Sequence, residues 1–219
     1  MLVLGIDTAT PAVTVAVHDG SAVLASACTV DARRHGELLA PTIERVLTEA
    51  AVSLGDVDVV AVGVGPGPYT GLRVGVVTGL AIADAIGAAA HGVCTLDVIA
   101  AQLGAGQPLT VVTDARRREV FWASYDEQCT RVAGPAVGRP VDVAATVSGR
   151  VLGSGAAMYA NVFGTVPDAT DIADEGYPDA GTLCALVAAN RVELRDARPI
   201  YLRRPDTTEP HAPKSVLPT

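Results

Sequence analysis

The chain has 219 residues and a formal charge of −8, from 24 acidic and 16 basic side chains, and 49% of it is apolar. That length allows one large domain or two small ones with a proper core, and the apolar share excludes a wholly disordered chain. The charge disfavours direct, strong nucleic-acid binding, which needs a basic footprint. Lys214 is the only lysine, and the clusters Arg116-Arg117-Arg118 and Arg203-Arg204 are too small to supply one.

Leu2–Asp7 is a continuous apolar run ending in an acid, and Met1 leads straight into it, so no signal peptide is expected. Ala12–His18 follows a Thr10-Pro11 turn, and Asp19-Gly20 marks a hairpin into Ala22–Val30. Leu38, Leu39, Ile43, Val46, Leu47 and Ala50 recur at helical spacing, with Pro41 near the first turns. Asp56–Val64 is a Val-rich strand with both faces buried. Gly65-Pro66-Gly67-Pro68 is a rigid loop before a helix over Gly71–Gly87, with Thr70 as its expected N-cap. The apolar stretch Gly71–Ala90 carries Arg73 and Asp84 and little Leu, Ile or Phe, so it reads as a core helix and not a membrane span. Val93–Cys94 and Leu96–Leu103 give a short strand and a short helix.

This order is that of a ribonuclease-H-like half of an actin-like ATPase, an α/β fold of two subdomains. The expected division is residues 1–104 as a complete first subdomain, 105–204 as a reduced second one, and 205–219, with four prolines, as a disordered tail. In the second part, Leu109–Thr113 and Val120–Tyr125 read as paired strands, Ala136–Val143 as strand-like and Val141–Val147 as a short helix. Val151–Gly155 reads as strand and turn, and Gly181–Asn190 as a helix burying Leu183, Leu186 and Val187.

Candidate chemistry lies at four places. Gly5-Ile6-Asp7-Thr8-Ala9-Thr10 occupies the position of a phosphate loop, with Asp7 and Thr8 as candidates for a nucleotide site, but Ala9 stands where a glycine is expected. The alternative is a strand end whose Asp and Thr cap the turn. Gly67 and Thr70 belong to a loop that leads into a helix N-terminus, an arrangement suited to an anion, although two prolines remove N–H donors there. Asp114, Arg116 and Glu119 form either a polar cluster at a cleft mouth or a turn braced by ion pairs. Gly71, Gly75, Gly79, Ala83 and Gly87 recur every four residues. Glycine costs ~1 kcal/mol in a helix interior, so close approach of another backbone must offset it. That backbone belongs to the chain's own fold or to a partner. The partner reading adds Leu39, Ile43 and Leu47 of the preceding helix. No His-x-x-x-His, His-Glu-x-x-His or Gly-x-Ser-x-Gly occurs, and the four cysteines lack Cys-x-x-Cys spacing.

The stretches Val3-Leu4-Gly5-Ile6-Asp7-Thr8-Ala9-Thr10, Gly65-Pro66-Gly67-Pro68-Tyr69-Thr70-Gly71-Leu72-Arg73-Val74-Gly75, Asp114-Ala115-Arg116 with Glu119-Val120-Phe121-Trp122, and Pro199-Ile200-Tyr201-Leu202-Arg203 together resemble the TsaB (YeaZ) family. The resemblance implies a cytoplasmic, non-catalytic paralogue of TsaD. TsaD transfers a threonylcarbamoyl group to adenosine 37 of tRNAs reading ANN codons. The family binds TsaD through helices of its first half, is joined by the ATPase TsaE, and forms homodimers through the same face when isolated. TsaD-like enzymes carry a His-x-x-x-His metal pair where Thr95 and Ile99 stand here, so no metal is expected. No tightly bound cofactor is expected either, with ATP or ADP confined to an interface with partners. The rival expectation is an enzyme, an ATPase or kinase-like phosphotransferase using Asp7 and the Gly-Pro-Gly loop. It lacks a second phosphate loop, since Gly153-Ser154-Gly155-Ala156 has no acid before it.

Overall fold

The computed structural model describes residues 1–104, 106–147, 149–164 and 176–203. The tail expected to be disordered lies outside these residues.

The first sheet is built from β1 (Val3–Asp7), β2 (Ala12–His18), β3 (Val23–Val30), β4 (Val59–Gly63) and β5 (Ala89–Val93) in the order β3-β2-β1-β4-β5. β1, β2 and β3 form an antiparallel meander, while β1–β4 and β4–β5 pair in parallel. Every residue of β1 and β2 is buried, because both faces of the sheet are covered. Leu4, Ile6, Val15, Val17, Val60 and Val62 meet α1 (His35–Glu49) and α2 (Tyr69–Ile86) on one face. Val3, Ala16 and Ala61 meet α3 (Thr95–Leu103) and a C-terminal helix on the other.

The second sheet has the order β8-β7-β6-β9, from β6 (Leu109–Asp114), β7 (Val120–Tyr125), β8 (Arg131–Gly138) and β9 (Arg150–Leu152). α4 (Pro140–Ala144), α5 (Ser154–Met158) and α6 (Ala160–Phe163) accompany it. α3 packs between the sheets, where Leu96 and Ile99 share a core with Leu109, Val111, Phe121 and Tyr125.

Three expectations need correction. β8 ends at Gly138, and Pro140 opens α4 at its first position, so Ala136–Val143 is not one strand. α2 starts at Tyr69 with Pro68 in the N-cap place, and Thr70 lies inside the first turn and caps nothing. The stretch 105–204 is not one separate subdomain. α7 (Ala180–Ala188) packs on β1 and β2, with Leu183 and Cys184 fully buried in the core they share with Val3 and Ala16. Gly92 then bridges Arg195, and Ile200 donates its N–H to the Val64 carbonyl, so the chain returns to the first sheet.

Candidate functional site

β1 delivers Asp7 and Thr8 to the end of the first sheet on opposite faces. Asp7 turns toward α3. Its Oδ1 accepts the Ala9 N–H at 2.8 Å, and its Oδ2 accepts the Thr95 hydroxyl at 2.7 Å. The Thr95 oxygen in turn accepts the Gly65 N–H at 3.1 Å. The carboxylate fills the space that Gly63 leaves open beside it. Asp7 is fully buried, and the loss of water raises its pKa from 3.8 to about 6, against the lowering effect of its two hydrogen bonds.

Thr8 turns toward α2. Its hydroxyl donates to the Gly71 carbonyl at 2.7 Å and accepts the Gly75 N–H at 2.9 Å, so it inserts between a carbonyl and an amide one helical turn apart. A Cβ at Gly75 would meet the Thr8 oxygen, and one at Gly67 would meet the Ala9 carbonyl. The polar groups of the strand end are thus engaged with the chain itself. With Ala9 at the turn and the Asp7 carboxylate behind Thr95, this strand end does not fit a phosphate. The arrangement is the capped turn of the alternative reading.

Outside this plug lies an open cleft in two lobes. One, of about 230 Å³, is lined by Thr8, Thr10, His35, Thr70, Gly71 and Arg116 among others. The other, of about 190 Å³, is lined by Gly67, Tyr69, Phe121, Tyr201 and the arginines 116, 117 and 203. His35 is buried and donates through Nε2 to the Thr10 carbonyl at 2.8 Å. Tyr69 and Tyr201 stack with ring centroids 5.1 Å apart, and Arg73 lies over the Tyr69 ring.

The far wall is the β6–β7 turn. Asp114 Oδ1 accepts the Arg116 N–H at 2.8 Å, and the Arg116 guanidinium lies 3.6 Å from Asp114. Glu119 pairs with Arg203, which also donates to the Ala115 carbonyl at 3.2 Å. Arg116, Arg117 and Arg118 all have positive φ, at 63°, 54° and 62°. Such a backbone is strained in residues with a Cβ.

Of the seven residues expected at a nucleotide site or cleft, Thr8, Gly67, Thr70 and Arg116 line the open space. Asp114 and Glu119 brace its wall, and Asp7 is sealed behind it. Sequence reasoning passed over His35 and the Tyr69–Tyr201 stack. A lone histidine carries no motif, and the two tyrosines are 132 positions apart.

The residues expected to bind a partner are placed differently. Leu39 and Ile43 are buried in the sheet-facing core, and Leu47 packs half-buried against it. Gly71, Gly75, Gly79 and Ala83 also face inward: a Cβ at Gly79 would lie 2.5 Å from Val62 Cγ2. The small-residue stripe therefore lets α2 sit close on β4 and Thr8, and it is not a groove for a partner. The outward arc of α2 carries Arg73, Val77, Leu80 and Asp84, of which Val77 is 58% and Leu80 42% exposed. By length and composition α2 also meets the test for crossing a membrane, but its glycine face is seated on the sheet.

Strand order and crossing helices define an actin-like ATPase fold. A family model for TsaD, tRNA N6-adenosine threonylcarbamoyltransferase, matches residues 27–195. An uncharacterised protein of Mycobacterium tuberculosis (strain H37Rv) is 44% identical over 208 residues, 93% of this chain and 92% of that one. TsaB of Escherichia coli is 38% identical over 131 residues, 57% of this chain and 55% of that one. An uncharacterised Mycobacterium leprae protein is 43% identical over 94% of this chain, which spans only 55% of its length. The solved structure of YeaZ from Pseudomonas aeruginosa superposes with a TM-score of 0.77 at 29% identity, covering 92% of this chain and 99% of that one. The chain belongs to the TsaB/YeaZ family.

Proposed function

We propose that this chain is a non-catalytic, cytoplasmic partner subunit that works with a TsaD-type catalytic subunit and a TsaE-type ATPase in threonylcarbamoylation of adenosine 37 in tRNAs reading ANN codons. The observation that carries the reading is the closed strand end. Asp7 and Thr8, the groups an actin-like ATPase turns toward nucleotide, are hydrogen-bonded inside the chain. The rival reading, an ATPase or phosphotransferase acting alone, needs those groups free. Thr95 and Ile99 are both fully buried and neither offers an imidazole. On this reading the chain holds no tight cofactor, and ATP or ADP is taken only where a partner completes the outer cleft beside Thr70 and Arg116.

The partner face is the outer arc of α2. Val77 and Leu80 lie within one helical turn of each other, and their exposed apolar area gives a complementary helix something to cover. The TsaD-type subunit docks there, and isolated copies of this chain pair through the same face. The net charge of −8 argues that tRNA is held by the catalytic subunit.

Reconstitution from purified components tests this. The wild-type chain should restore tRNA modification only together with the catalytic subunit and the ATPase, and should modify nothing alone. Val77→Glu should leave the melting temperature within about 2 °C, as expected of a surface change. It should weaken binding to the catalytic subunit at least about tenfold, since it buries a charge in the contact. Modification by the chain alone, or full binding by a well-folded Val77→Glu chain, would refute the reading.

A further inference from the structure

A further cavity, of about 620 Å³, shares no lining residue with either lobe of the cleft. It opens between α3, the β7–β8 turn and the loop that leaves α7. Its inner charges are already paired. Asp97 accepts the Tyr125 hydroxyl at 2.8 Å and the Arg131 guanidinium at 3.1 Å, and Arg131 reaches Glu193 at 2.6 Å. Glu193 also accepts Arg195 at 2.8 Å. Ala101, Leu186 and Val192 give the cavity an apolar wall.

The cluster is short of acceptors and not of donors. Arg131, Arg191 and Arg195 stand against Asp97 and Glu193, a local surplus of positive charge in a chain of net charge −8. Arg191 is exposed, lines the cavity and makes no ion pair or side-chain hydrogen bond among the described residues. The Arg195 Nε is buried and finds no acceptor among them. A buried donor left unmet is uncommon and costly. Neither acid of the β7–β8 turn lines the cavity, and Asp126 is taken up by the Gln128 and Thr130 N–H groups. The backbone fixes where the spare charge stands. Asn190 takes φ 50° just past α7, its N–H donates to the Val187 carbonyl, and the Arg191 N–H donates to the Leu186 carbonyl. This ending closes the helix and holds Arg191 beside the apolar wall.

We infer that this cavity binds a small organic monocarboxylate, with its carboxylate on Arg191 and its apolar body against Ala101, Leu186 and Val192.

One negative charge balances the surplus, and a guanidinium fork matches a carboxylate with two parallel hydrogen bonds. A dianion would bring a second charge, without a partner, beside Asp97 and Glu193. The volume is that of a small-molecule site, and such sites combine apolar walls with a few placed polar groups. The exposed side-chain amides of Gln128 and Asn190 complete the polar rim. The outer arc of α2 contributes nothing here, so ligand binding and subunit pairing are separable.

Calorimetric titration of the full chain with 3-phenylpropanoate tests this, with 3-phenylpropanamide as the matched neutral probe. The carboxylate should bind saturably, and the amide at least about tenfold more weakly, the loss expected for one charge-assisted contact. Arg191→Gln should weaken the carboxylate by a similar factor with an unchanged melting temperature, and Arg191→Lys should restore part of the binding. Cys129 lines the same cavity and reports the location. Its alkylation by iodoacetamide, read from the mass of its peptide, should slow as 3-phenylpropanoate saturates the wild type, and should not slow in Arg191→Gln at the same concentration. Absence of saturable binding at millimolar concentration overturns the inference, as does equal binding of the amide. Binding that survives Arg191→Gln, or that leaves Cys129 alkylation unslowed, places the carboxylate elsewhere and overturns it as well.

Discussion

Asp7 is held at the centre of the molecule by two donors and, among the described residues, no cation, and this fixes its effect on stability. Its pKa is raised to about 6 in the fold from 3.8, chiefly by burial, so the folded chain binds this proton more tightly than the unfolded chain. Keeping the ionised form buried costs on the order of 3 kcal/mol, present in full above the folded value and relieved as pH falls from about 6 toward about 4. Thermal melts of the wild type and Asp7→Asn between pH 4 and 8 isolate the effect. The wild type should gain stability on acidification relative to the variant by roughly that amount, since an amide does not titrate there. Parallel pH profiles would show that Asp7 carries no such load. The sequence placed Asp7 at a strand end, where β1 ends on it. It did not show which way the side chain turns. All five residues of β1 are buried, so the strand has no polar–apolar alternation to mark its faces, and the partner Thr95 is 88 positions away.

At the level of the element, α2 teaches that a small-residue stripe states a distance and not a neighbour. The four-residue spacing of Gly71, Gly75, Gly79 and Ala83 correctly requires something close. The same spacing serves a partner's helix or the chain's own sheet, and Val62 and Thr8 occupy the place here. Gly79→Leu should therefore act on the fold: its side chain enters the space of Val62, and overpacking should cost about 1–3 kcal/mol. A lowered melting temperature with binding to the catalytic subunit retained is the expected outcome. An unchanged melt with binding lost would return the stripe to the partner. Val77→Glu should do the reverse, so the two substitutions on one helix give opposite signatures. The informative residues for the partner face were legible only in part. Val77 and Leu80 stood out no more than Val74, Val76 and Ile82 in so apolar a helix, and only the seating of the glycines shows which arc is left outside.

Over the whole molecule, the two sheets are tied by polar contacts that bulk sequence features do not announce. Asp97 of α3 accepts the Tyr125 hydroxyl at 2.8 Å from β7 and the Arg131 guanidinium at 3.1 Å from β8. Arg131 also reaches Glu193 at 2.6 Å, which accepts Arg195 at 2.8 Å beside the bridge to β5. Four segments spread over a hundred residues meet there, and neither periodicity nor a motif predicts the meeting. The return of residues 180–203 to the first sheet is hidden for the same reason, since reading along the chain favours units that are contiguous. The inner pair is shielded, with 13% of Arg131 and 11% of Asp97 side-chain surface exposed, whereas Glu193 is 57% exposed and contributes little. Burial already raises the Asp97 pKa, against the lowering by Arg131 and Tyr125. Removing Arg131 should thus leave the Asp97 carboxylate beside an apolar chain, with only the more distant Arg195 to offset its charge. Arg131→Met should cost about 3–5 kcal/mol at neutral pH, the range for breaking a buried pair from one side. The loss should shrink as pH falls through the raised pKa of Asp97, because protonation removes the uncompensated charge. A purely structural loss of packing would be the same at every pH. Urea titrations of both chains from pH 8 down to pH 4 decide between them, and a penalty that does not fall anywhere in that range would assign Arg131 to packing and not to charge.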